Sequence, residues 1–379
     1  MSKRAKHIFK FSTILLVLVT GIITARVAFA QDGDSLSKTT ASTDPKSDKK
    51  DETKKFNAGE LIIGHITDSH EWHLWGSEEH PVAIPLPVII YSDKGLDIFM
   101  SNKFEEGVVE GKYRYTLVKN DIKVVDENGA IDETASAKLW DLSITKNVAS
   151  IIFTMALLAW IFISAAKAYA RRPGTAPKGL QSAVEPLIIF VRDDIAKSSI
   201  GEKHYRKYLP FLLTVFFFIW TTNLLGLIPI APGGANVTGN IAVALTLAAI
   251  VFLITTFSAK SNYWRHVFAM PGVPVGVLVL LTPIEIFGVF LRPFVLMIRL
   301  FANILAGHII ALSFFSLIFI FAEMNTGLGY GVSVLSIAFT VFMGMLELLV
   351  AFLQAYVFTL LAAMYFGSAV EEHHHDDYH

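Results

Sequence analysis

The chain has 379 residues, of which 53% are hydrophobic and 17% are charged. This balance excludes an ordinary soluble protein and indicates a polytopic membrane protein with a soluble appendage. The formal net charge of −1 says little about partners, because the charges are spread unevenly along the chain. Cysteine is absent, which excludes disulfides, thiol nucleophiles and cysteine-based metal sites.

The first 30 residues are organised like a secretory signal. Four basic residues precede the apolar run FSTILLVLVTGIITA, and the small residues of AFA, ending at Ala30, offer a cleavage site. We therefore expect a signal peptide over residues 1–30 and a bacterial host, with an uncleaved anchor helix as the alternative. Either outcome places the next segment outside the cytoplasm.

Residues 31–56 are almost free of apolar side chains and alternate in charge, which predicts a disordered linker. Residues 57–141 carry strand signals instead. KYRYTLVKNDIKVVDENG holds two β-rich runs around a turn, and HPVAIPLPVIIY is extended and punctuated by proline. We expect a small β-rich extracytoplasmic module here.

Four histidines of this module raise the question of a metal site: His65, His70, His73 and His80. They lack the paired spacing on one helix or strand that metal ligation requires. The sequence therefore favours ordinary surface positions for these side chains over a metal site.

The membrane domain is expected over residues 142–370. Spans near 147–168, 208–229 and 240–258 each have about the ~20 apolar residues that cross a bilayer. The apolar blocks 273–322 and 332–367 exceed one straight crossing. Tilted helices, or a re-entrant stretch before a long span, would account for both blocks.

Basic residues set the orientation of these spans. They follow the first span, precede the second and follow the third, whereas the loop IAPGGANVTGN between spans two and three is uncharged. The positive-inside rule then places the 171–207 segment in the cytoplasm. Five crossings, which we favour, also place the His-rich tail 371–379 there, whereas counting 273–292 as a sixth crossing would reverse the side of the tail. Within 180–207, apolar residues at helical spacing among many charges predict an interfacial amphipathic helix.

Polar side chains interrupt the apolar stretch VLMIRLFANILAGHII. It contains Arg299, Asn303 and His308, and an arginine at a bilayer centre costs at least ~2.5–3.5 kcal/mol on insertion scales. Helical geometry gathers several residues of the region on one stripe: Arg292, Leu296, Arg299, Asn303, Ala306 and Ile310. Since His308 is nine positions beyond Arg299, it projects from roughly the opposite face.

The last apolar block holds Glu347 and Gln354, which are seven residues apart and so lie on one helix face. A glutamate and a histidine on facing helices can form a proton relay, because both can exchange protons near neutral pH once desolvated. Glu285 lies farther upstream, near the cytoplasmic side.

Structural interpretations of the same residues remain open at this point. Arg299 can be a packing ion pair with Glu285 or Glu347, and His308 a hydrogen-bonded buried side chain. Asn303 and Gln354 can simply join helices by hydrogen bonds. The residues alone therefore indicate an ion-translocating membrane protein with an intramembrane arginine.

Five motifs occur together in the order and spacing of a known family: FLLTVFFFIWTTNLLGLIP, NVTGNIAVALTLA, PIEIFGVFLRP, RLFANILAGH and LELLVAFLQAYVFTLL. Over about 185–368 the chain resembles subunit a of F-type ATP synthases, the membrane stator beside the rotating c-ring. The resemblance implies an all-α polytopic membrane protein of about five transmembrane helices, with long tilted helices carrying Arg299 and Gln354. It does not account for the β-rich N-terminal module.

The resemblance also implies a role for each matched residue. Arg299 corresponds to the family's essential arginine, which faces the c-ring carboxylate and separates two aqueous half-channels. Asn303 corresponds to a polar half-channel position, and Gln354 to a glutamine that packs near the arginine. His308 and Glu347 correspond to a pair that exchanges protons on the extracytoplasmic side.

Glu285 corresponds to a carboxylate of the cytoplasmic half-channel. The implied function is proton translocation in the bacterial inner membrane. The implied partners are the c-ring, subunit b of the peripheral stalk, the rest of the F1F0 complex and the lipid bilayer, with no nucleic acid. The chain has no GxxxxGK[ST] motif, so ATP chemistry is expected in other subunits and this one is not an enzyme. We expect neither a cofactor nor a metal.

Two other classes remain as alternatives. A secondary proton- or sodium-coupled transporter predicts internal repeats and broken helices around a central site. A membrane-anchored assembly protein would instead make the soluble module the working part.

Overall fold

A computed structural model describes Gly59, Ile62 and residues 66–371, except 76–81, 119, 172–173, 229–230 and 271–272. The expected signal peptide 1–30, the linker 31–56 and nearly all of the His-rich tail lie outside the described residues, as do His65 and His80.

The first described part is built mainly from short antiparallel strands. They are β1 (Glu71–Trp75), β2 (Val82–Pro85), β3 (Pro87–Ser92), β4 (Gly95–Met100), β5 (Val109–Glu110), β6 (Arg114–Val118), β7 (Asp121–Val125) and β8 (Trp140–Asp141). They form a β1–β2 hairpin and two three-stranded sheets, ordered β4-β3-β8 and β5-β6-β7. A 3₁₀ turn (Ser101–Glu106) and a short helix α1 (Glu133–Ser136) complete this part.

The predicted β-rich character of this module is confirmed. The two runs of KYRYTLVKNDIKVVDENG form the hairpin β6–β7, with Val118 opposite Asp121. Asn120 in the turn has a φ of 72°, a left-handed conformation that asparagine tolerates better than most residues. The module core contains Val88, Ile90 and Tyr115, all at most 1% exposed.

His70 corrects the expectation of a surface position. Its side chain is 2% exposed, and its Nε2 lies 3.0 Å from Oδ2 of Asp141. Burial alone would raise the pKa of Asp141, but hydrogen bonds from His70 and Ser143 and the charge of His70 outweigh it and lower that pKa to about 2. The sequence did not reveal this burial, because His70 pairs with a residue 71 positions away along the chain. His73 lies in β1.

Asp141→Asn should destabilise the module at neutral pH. The folded-state pKa lies below the ordinary value of 3.8, so the stabilisation is present above about pH 4 and is lost as the pH falls through about 2. This lowering of the pKa of Asp141 corresponds to a contribution to the free energy of unfolding on the order of 2 kcal/mol. Hydrogen exchange of module amides in the full chain should accelerate in this variant and not in Asp121→Asn, whose site is exposed. Equal exchange rates would contradict this assignment.

The second described part is helical. It comprises α2 (Lys146–Arg171), α3 (Leu180–Phe190), α4 (Tyr205–Gly226), α5 (Ile241–Ser258), α6 (Ser261–Phe268), α7 (Val275–Met324) and α8 (Thr326–Val370). Among the described residues, five helices are long and apolar enough to cross a membrane, namely α2, α4, α5, α7 and α8. The expected all-α membrane domain with about five spans is confirmed.

The segment after α3 continues as a wider, π-type helix (Val191–Lys197) and a last turn (Ser198–Ile200). Val191, Ile195 and Ala196 are fully buried on one side. On the other side Asp193 forms ion pairs with Arg192 at 2.6 Å and with Lys197 at 3.1 Å. The predicted amphipathic character of this region is confirmed.

The two last helices are unusually long. Helix α7 has 50 residues and runs without interruption past Pro283 and Pro293, and α8 has 45 residues. At ~1.5 Å per residue, both greatly exceed a hydrocarbon core of ~30 Å. Of the two expectations for these blocks, tilted continuous helices therefore fit the structure. Few residues of α7 are buried, and the buried residues of α8 are concentrated between Ala351 and Val370. Much of the surface of α7 and of the first part of α8 is therefore open.

Two hydrogen bonds show which helix ends lie on the same side of the membrane domain. The Lys260 amide after α5 donates to the Ala369 carbonyl near the end of α8 at 2.9 Å. At the opposite end, the indole Nε1 of Trp72 in the β module donates to the carbonyl of Gly233, in the loop between α4 and α5, at 3.0 Å. The module thus lies on the side of the α4–α5 loop, opposite the end of α8.

Candidate functional site

Helices α7 and α8 pair as an antiparallel hairpin whose register is visible in three contacts. The Asn303 amide donates from Nδ2 to Oε1 of Gln354 at 2.9 Å. One turn farther along, Glu347 packs over Gly307, where an added Cβ would lie 2.9 Å from its Oε1. Phe314 stacks on Phe339 with ring centroids 5.0 Å apart. Gln354 and Glu347, seven residues apart on α8, therefore contact Asn303 and Gly307, which lie on successive turns of α7.

A cavity of about 160 Å³ lies beside this hairpin. Its walls come from the end of α4, the loop before α5 and the middle of α7 and α8. Its polar lining residues are Thr222, Asn223, Asn236, Thr238, Asn303, His308 and Glu347. The structure thus brings Asn303, His308 and Glu347 of the sequence-predicted site to one space.

Several buried polar atoms of this cavity have no hydrogen-bond partner within the described part of the chain: Asn223 Nδ2, Asn236 Nδ2 and Glu347 Oε1. The other amide atom of Asn223, Oδ1, accepts from the Thr238 hydroxyl at 2.5 Å. Unsatisfied buried polar atoms around a space far larger than the ~10–15 Å³ needed for one water favour a hydrated cavity. Water there can carry protons between side chains.

His308 lines the cavity close to the end of α4. An added Cβ on Gly226, the last residue of α4, would lie 3.9 Å from His308 Nε2, which is ordinary van der Waals contact. At Gly307, by contrast, an added Cβ would come close enough to displace Glu347. The two ionisable side chains share the cavity, with α4 close by.

Arg299 lies outside this cavity. Its side chain is exposed on α7, one turn before Asn303, and it has neither a hydrogen bond nor an ion pair to any residue that the structure describes. The ion pairs with Glu285 or Glu347 considered from the sequence are not formed. The predicted stripe is also less uniform than expected, because Leu296 is only 1% exposed and belongs to the edge that packs inward.

Glu285 has a different partner, Arg292. Oε1 of Glu285 lies 3.6 Å from Nη2 of Arg292, and Nη1 of Arg292 donates to the Tyr263 hydroxyl at 3.3 Å. The Arg292 guanidinium also lies 5.8 Å from the ring centroid of Tyr365. This polar cluster contacts α6, on the side opposite the β module.

The polar residues of α7 thus follow the helix from one side to the other. At ~1.5 Å per residue, Glu285 lies ~21 Å and His308 ~14 Å along the axis from Arg299. The interval between Glu285 and His308 thus slightly exceeds the ~30 Å thickness of a hydrocarbon core. Arg299 lies between the Glu285–Arg292 cluster and the cavity.

Three polar residues of the cavity wall were not singled out from the sequence: Thr222, Asn236 and Thr238. Asn236 and Thr238 are 5% and 1% exposed and belong to the α4–α5 loop. The signal was present in NVTGN, a polar run without charge between two apolar spans. Asn240 of the same run has another task, since its Oδ1 accepts from the Ala242 amide at 2.9 Å and caps α5.

Five apolar helices, two of which place ionisable groups in a shared cavity, define a multi-pass membrane protein of the ion-transporting class. The chain belongs to the family described as ATP synthase A chain, whose model matches residues 148–367. A second family model, a domain of unknown function (DUF8433), matches residues 61–142.

Curated relatives carry the same description. The chain is 46% identical over 247 residues to ATP synthase subunit a 2 of Chlorobaculum tepidum, covering 63% of this chain and 66% of the relative. It is 40% identical over 244 residues to ATP synthase subunit a of Chloroherpeton thalassium, covering 63% and 70%. It is 35% identical over 271 residues to ATP synthase subunit a of an Anaeromyxobacter species, covering 68% and 63%. The match thus spans about two thirds of these relatives.

Gly307→Ala should slow ion translocation by the assembled complex, because the new methyl group would displace the Glu347 carboxyl from its position. The matched control is Gly276→Ala on the same helix, where an added Cβ meets nothing within 4 Å. Both substitutions gain helix propensity, so this effect cancels in the comparison. ATP-driven proton pumping in vesicles is the measurement, and equal rates in the two variants would remove the packing argument.

Proposed function

We propose that this chain is the proton-translocating stator subunit a of a bacterial F-type ATP synthase. It provides two half-channels to the carboxylates of a c-ring, and Arg299 separates them. The observation that carries this proposal is the position of Arg299, exposed on α7 between the cavity that contains His308 and Glu347 and the Glu285–Arg292 cluster. Its lack of an ion partner among the described residues supports the proposal.

The physical argument begins with the cost of the charge. A guanidinium remains protonated at any relevant pH, and placing it in the membrane is unfavourable without a compensating group. Since neither Glu285 nor Glu347 compensates it, a carboxylate supplied by a neighbouring subunit is the fitting partner. A permanent cation favours the deprotonated form of an approaching carboxyl, so it promotes proton release and blocks direct leakage between the two paths.

The entry path runs through the cavity that contains His308 and Glu347. Both groups can accept and donate protons, and water in the cavity can connect them. Asn303 belongs to the same lining and is held by Gln354, so this pair fixes the end of the path one turn from Arg299. A proton reaching this point would be transferred to the c-ring carboxylate.

The exit path lies on the other side of Arg299, towards Glu285. We place this side in the cytoplasm, because basic residues follow α2 and precede α4 there. The β module and the α4–α5 loop then lie outside, in the periplasm of the inner membrane, and the end of α8 lies inside. The open surface of α7 around Arg299 faces the c-ring, and subunit b of the peripheral stalk and the remaining F1F0 subunits complete the assembly. ATP chemistry takes place in those other subunits.

Arg299→Ala should abolish ATP-driven proton pumping in vesicles, because the cation that discharges each c-ring carboxyl is lost. The matched control is Arg265→Ala, which removes an exposed arginine of α6 and should leave pumping near its original rate. Assembly is verified by the amount of the subunit in the purified complex. Retained coupled pumping in an assembled Arg299→Ala complex would contradict the proposed function.

Replacement of the entry residues should have a milder effect. Glu347→Gln and His308→Ala should each slow pumping by roughly tenfold, less than the ~10²–10⁴-fold that a positioned proton-transfer group can contribute, because water offers a bypass. Glu202→Gln, at an exposed carboxylate, is the control. Rates unchanged in both entry variants would remove the relay from the mechanism.

A further inference from the structure

The β module, which matches a domain without an assigned function, is attached to the membrane domain at two points. The first point is the beginning of α2. Oδ2 of Asp68 accepts from the Thr145 hydroxyl at 2.8 Å, and Oδ1 accepts from the Asn147 amide at 3.1 Å. The Lys146 amide donates to the Ser69 carbonyl at 2.9 Å. These bonds satisfy amides at a helix start that would otherwise lack partners.

The second point is far away in sequence. Trp72 is 7% exposed, and its Nε1 donates to the carbonyl of Gly233 at 3.0 Å across 161 residues. Both groups are buried. A buried carbonyl that loses its donor leaves an unsatisfied polar group, so this bond constrains the loop more than a bond at the surface would.

Gly233 is held from the opposite side by the end of α4. An added Cβ would overlap the Ile228 carbonyl oxygen and lie 2.6 Å from that of Leu225. The next residue, Gly234, donates its amide to the Leu225 carbonyl at 3.1 Å. The loop is therefore fixed between the end of α4 and the indole of Trp72, and only glycine fits at this position.

The loop held in this way is a wall of the proton cavity. Two residues after Gly233 it enters the cavity lining at Ala235 and continues through Val237 and Thr238. All three are 1% exposed. The lining on the opposite side includes Glu347 and His308. A displacement of Gly233 would be transmitted to this wall because the intervening chain is short and buried.

We propose that Trp72 is a positioning residue for the entry path: through Gly233 it holds the α4–α5 loop against the cavity and thereby limits how the cavity opens to the extracytoplasmic side. The β module then acts as a clamp on proton entry. As a role in proton entry this rests on the proposed function, whereas the clamp itself can be measured without any proton flux.

The absence of cysteine from the chain makes thiol labelling a clean measurement of this clamp. In the full complex, Val237→Cys places one thiol in the cavity wall. Its reaction with a small, membrane-impermeant maleimide, applied from the extracytoplasmic side, reports how often the loop opens. The substitution Trp72→Phe, added to this variant, keeps an aromatic ring at position 72 and removes the indole N–H donor. The labelling rate should rise by about two- to tenfold, the range expected for the loss of one hydrogen bond.

The matched control is Trp140→Phe in the same Val237→Cys background. Trp140 belongs to the same module, but its side chain is 47% exposed, so the labelling rate should stay unchanged. Equal rates in the Trp72→Phe and Trp140→Phe backgrounds would overturn the proposal. If Trp72→Phe lowers the amount of assembled complex, Trp72→Tyr replaces it, with Trp140→Tyr as its control and the same two outcomes.

Proton transfer on the extracytoplasmic side supplies the functional half of the test. If the clamp shapes the entry path, Trp72→Phe should shift the dependence of the pumping rate on extracytoplasmic pH and leave its dependence on cytoplasmic pH unchanged. A general loss of stability would instead lower the pumping rate by the same factor in both pH profiles. Faster labelling with both pH profiles unchanged would overturn the role in proton entry. Arg299→Ala should not alter labelling at Val237→Cys, so failure of the clamp and failure of the proposed function give different results.

Discussion

The antiparallel register of α7 and α8 is the constraint on which the rest of the site depends. One hydrogen bond between two amide side chains, Asn303 and Gln354, marks this register in a region that is otherwise apolar. In such surroundings an amide without a partner is costly, so a slipped register is disfavoured. The same register brings Glu347 over Gly307 and leaves Arg299 on the open side of α7. The division of polar groups between cavity and open surface follows from it.

The open surface of α7 and α8 has a physical meaning within this family. A monomer that buried its arginine would need an internal carboxylate. Of the two candidates, Glu285 is engaged by Arg292 and Glu347 lines the cavity. The chain therefore leaves a permanent cation available to another subunit. In the proposed mechanism, the energetic cost of that charge is offset each time a rotor carboxyl becomes ionised beside it. In this proposed mechanism the site is complete only in the assembly.

The β module connects to this arrangement mainly through two side chains, Trp72 and Asp68. Its contact with Gly233 reaches the loop that walls the cavity, and its contact with the start of α2 fixes its place on the membrane domain. Two attachment points resist rotation better than one, which suits a segment that must hold a loop steady. A fold addition outside the common core can in this way influence the cavity without supplying any residue to it.

Much of this fold was predictable from local patterns. The five apolar spans, the amphipathic segment near 180–207 and the hairpin β6–β7 follow from hydropathy and turn chemistry, which act over a few residues. The candidate residues Arg299, Asn303, His308, Glu347 and Gln354 stood out because polar groups in apolar runs are rare. His70 was misjudged as a surface residue, since its burial depends on Asp141 at a distance of 71 residues.

The sequence by itself determined the class of protein, the number of spans and the list of polar groups inside the membrane, because each of these depends on composition and helical period. Only the tertiary structure decided which groups meet. It paired Glu285 with Arg292 and left Arg299 open. It also added Asn236 and Thr238 to the cavity and joined Trp72 to Gly233. Contacts between distant segments depend on helix register and on the room left by glycines such as Gly233 and Gly307, and neither is encoded in any short stretch of residues.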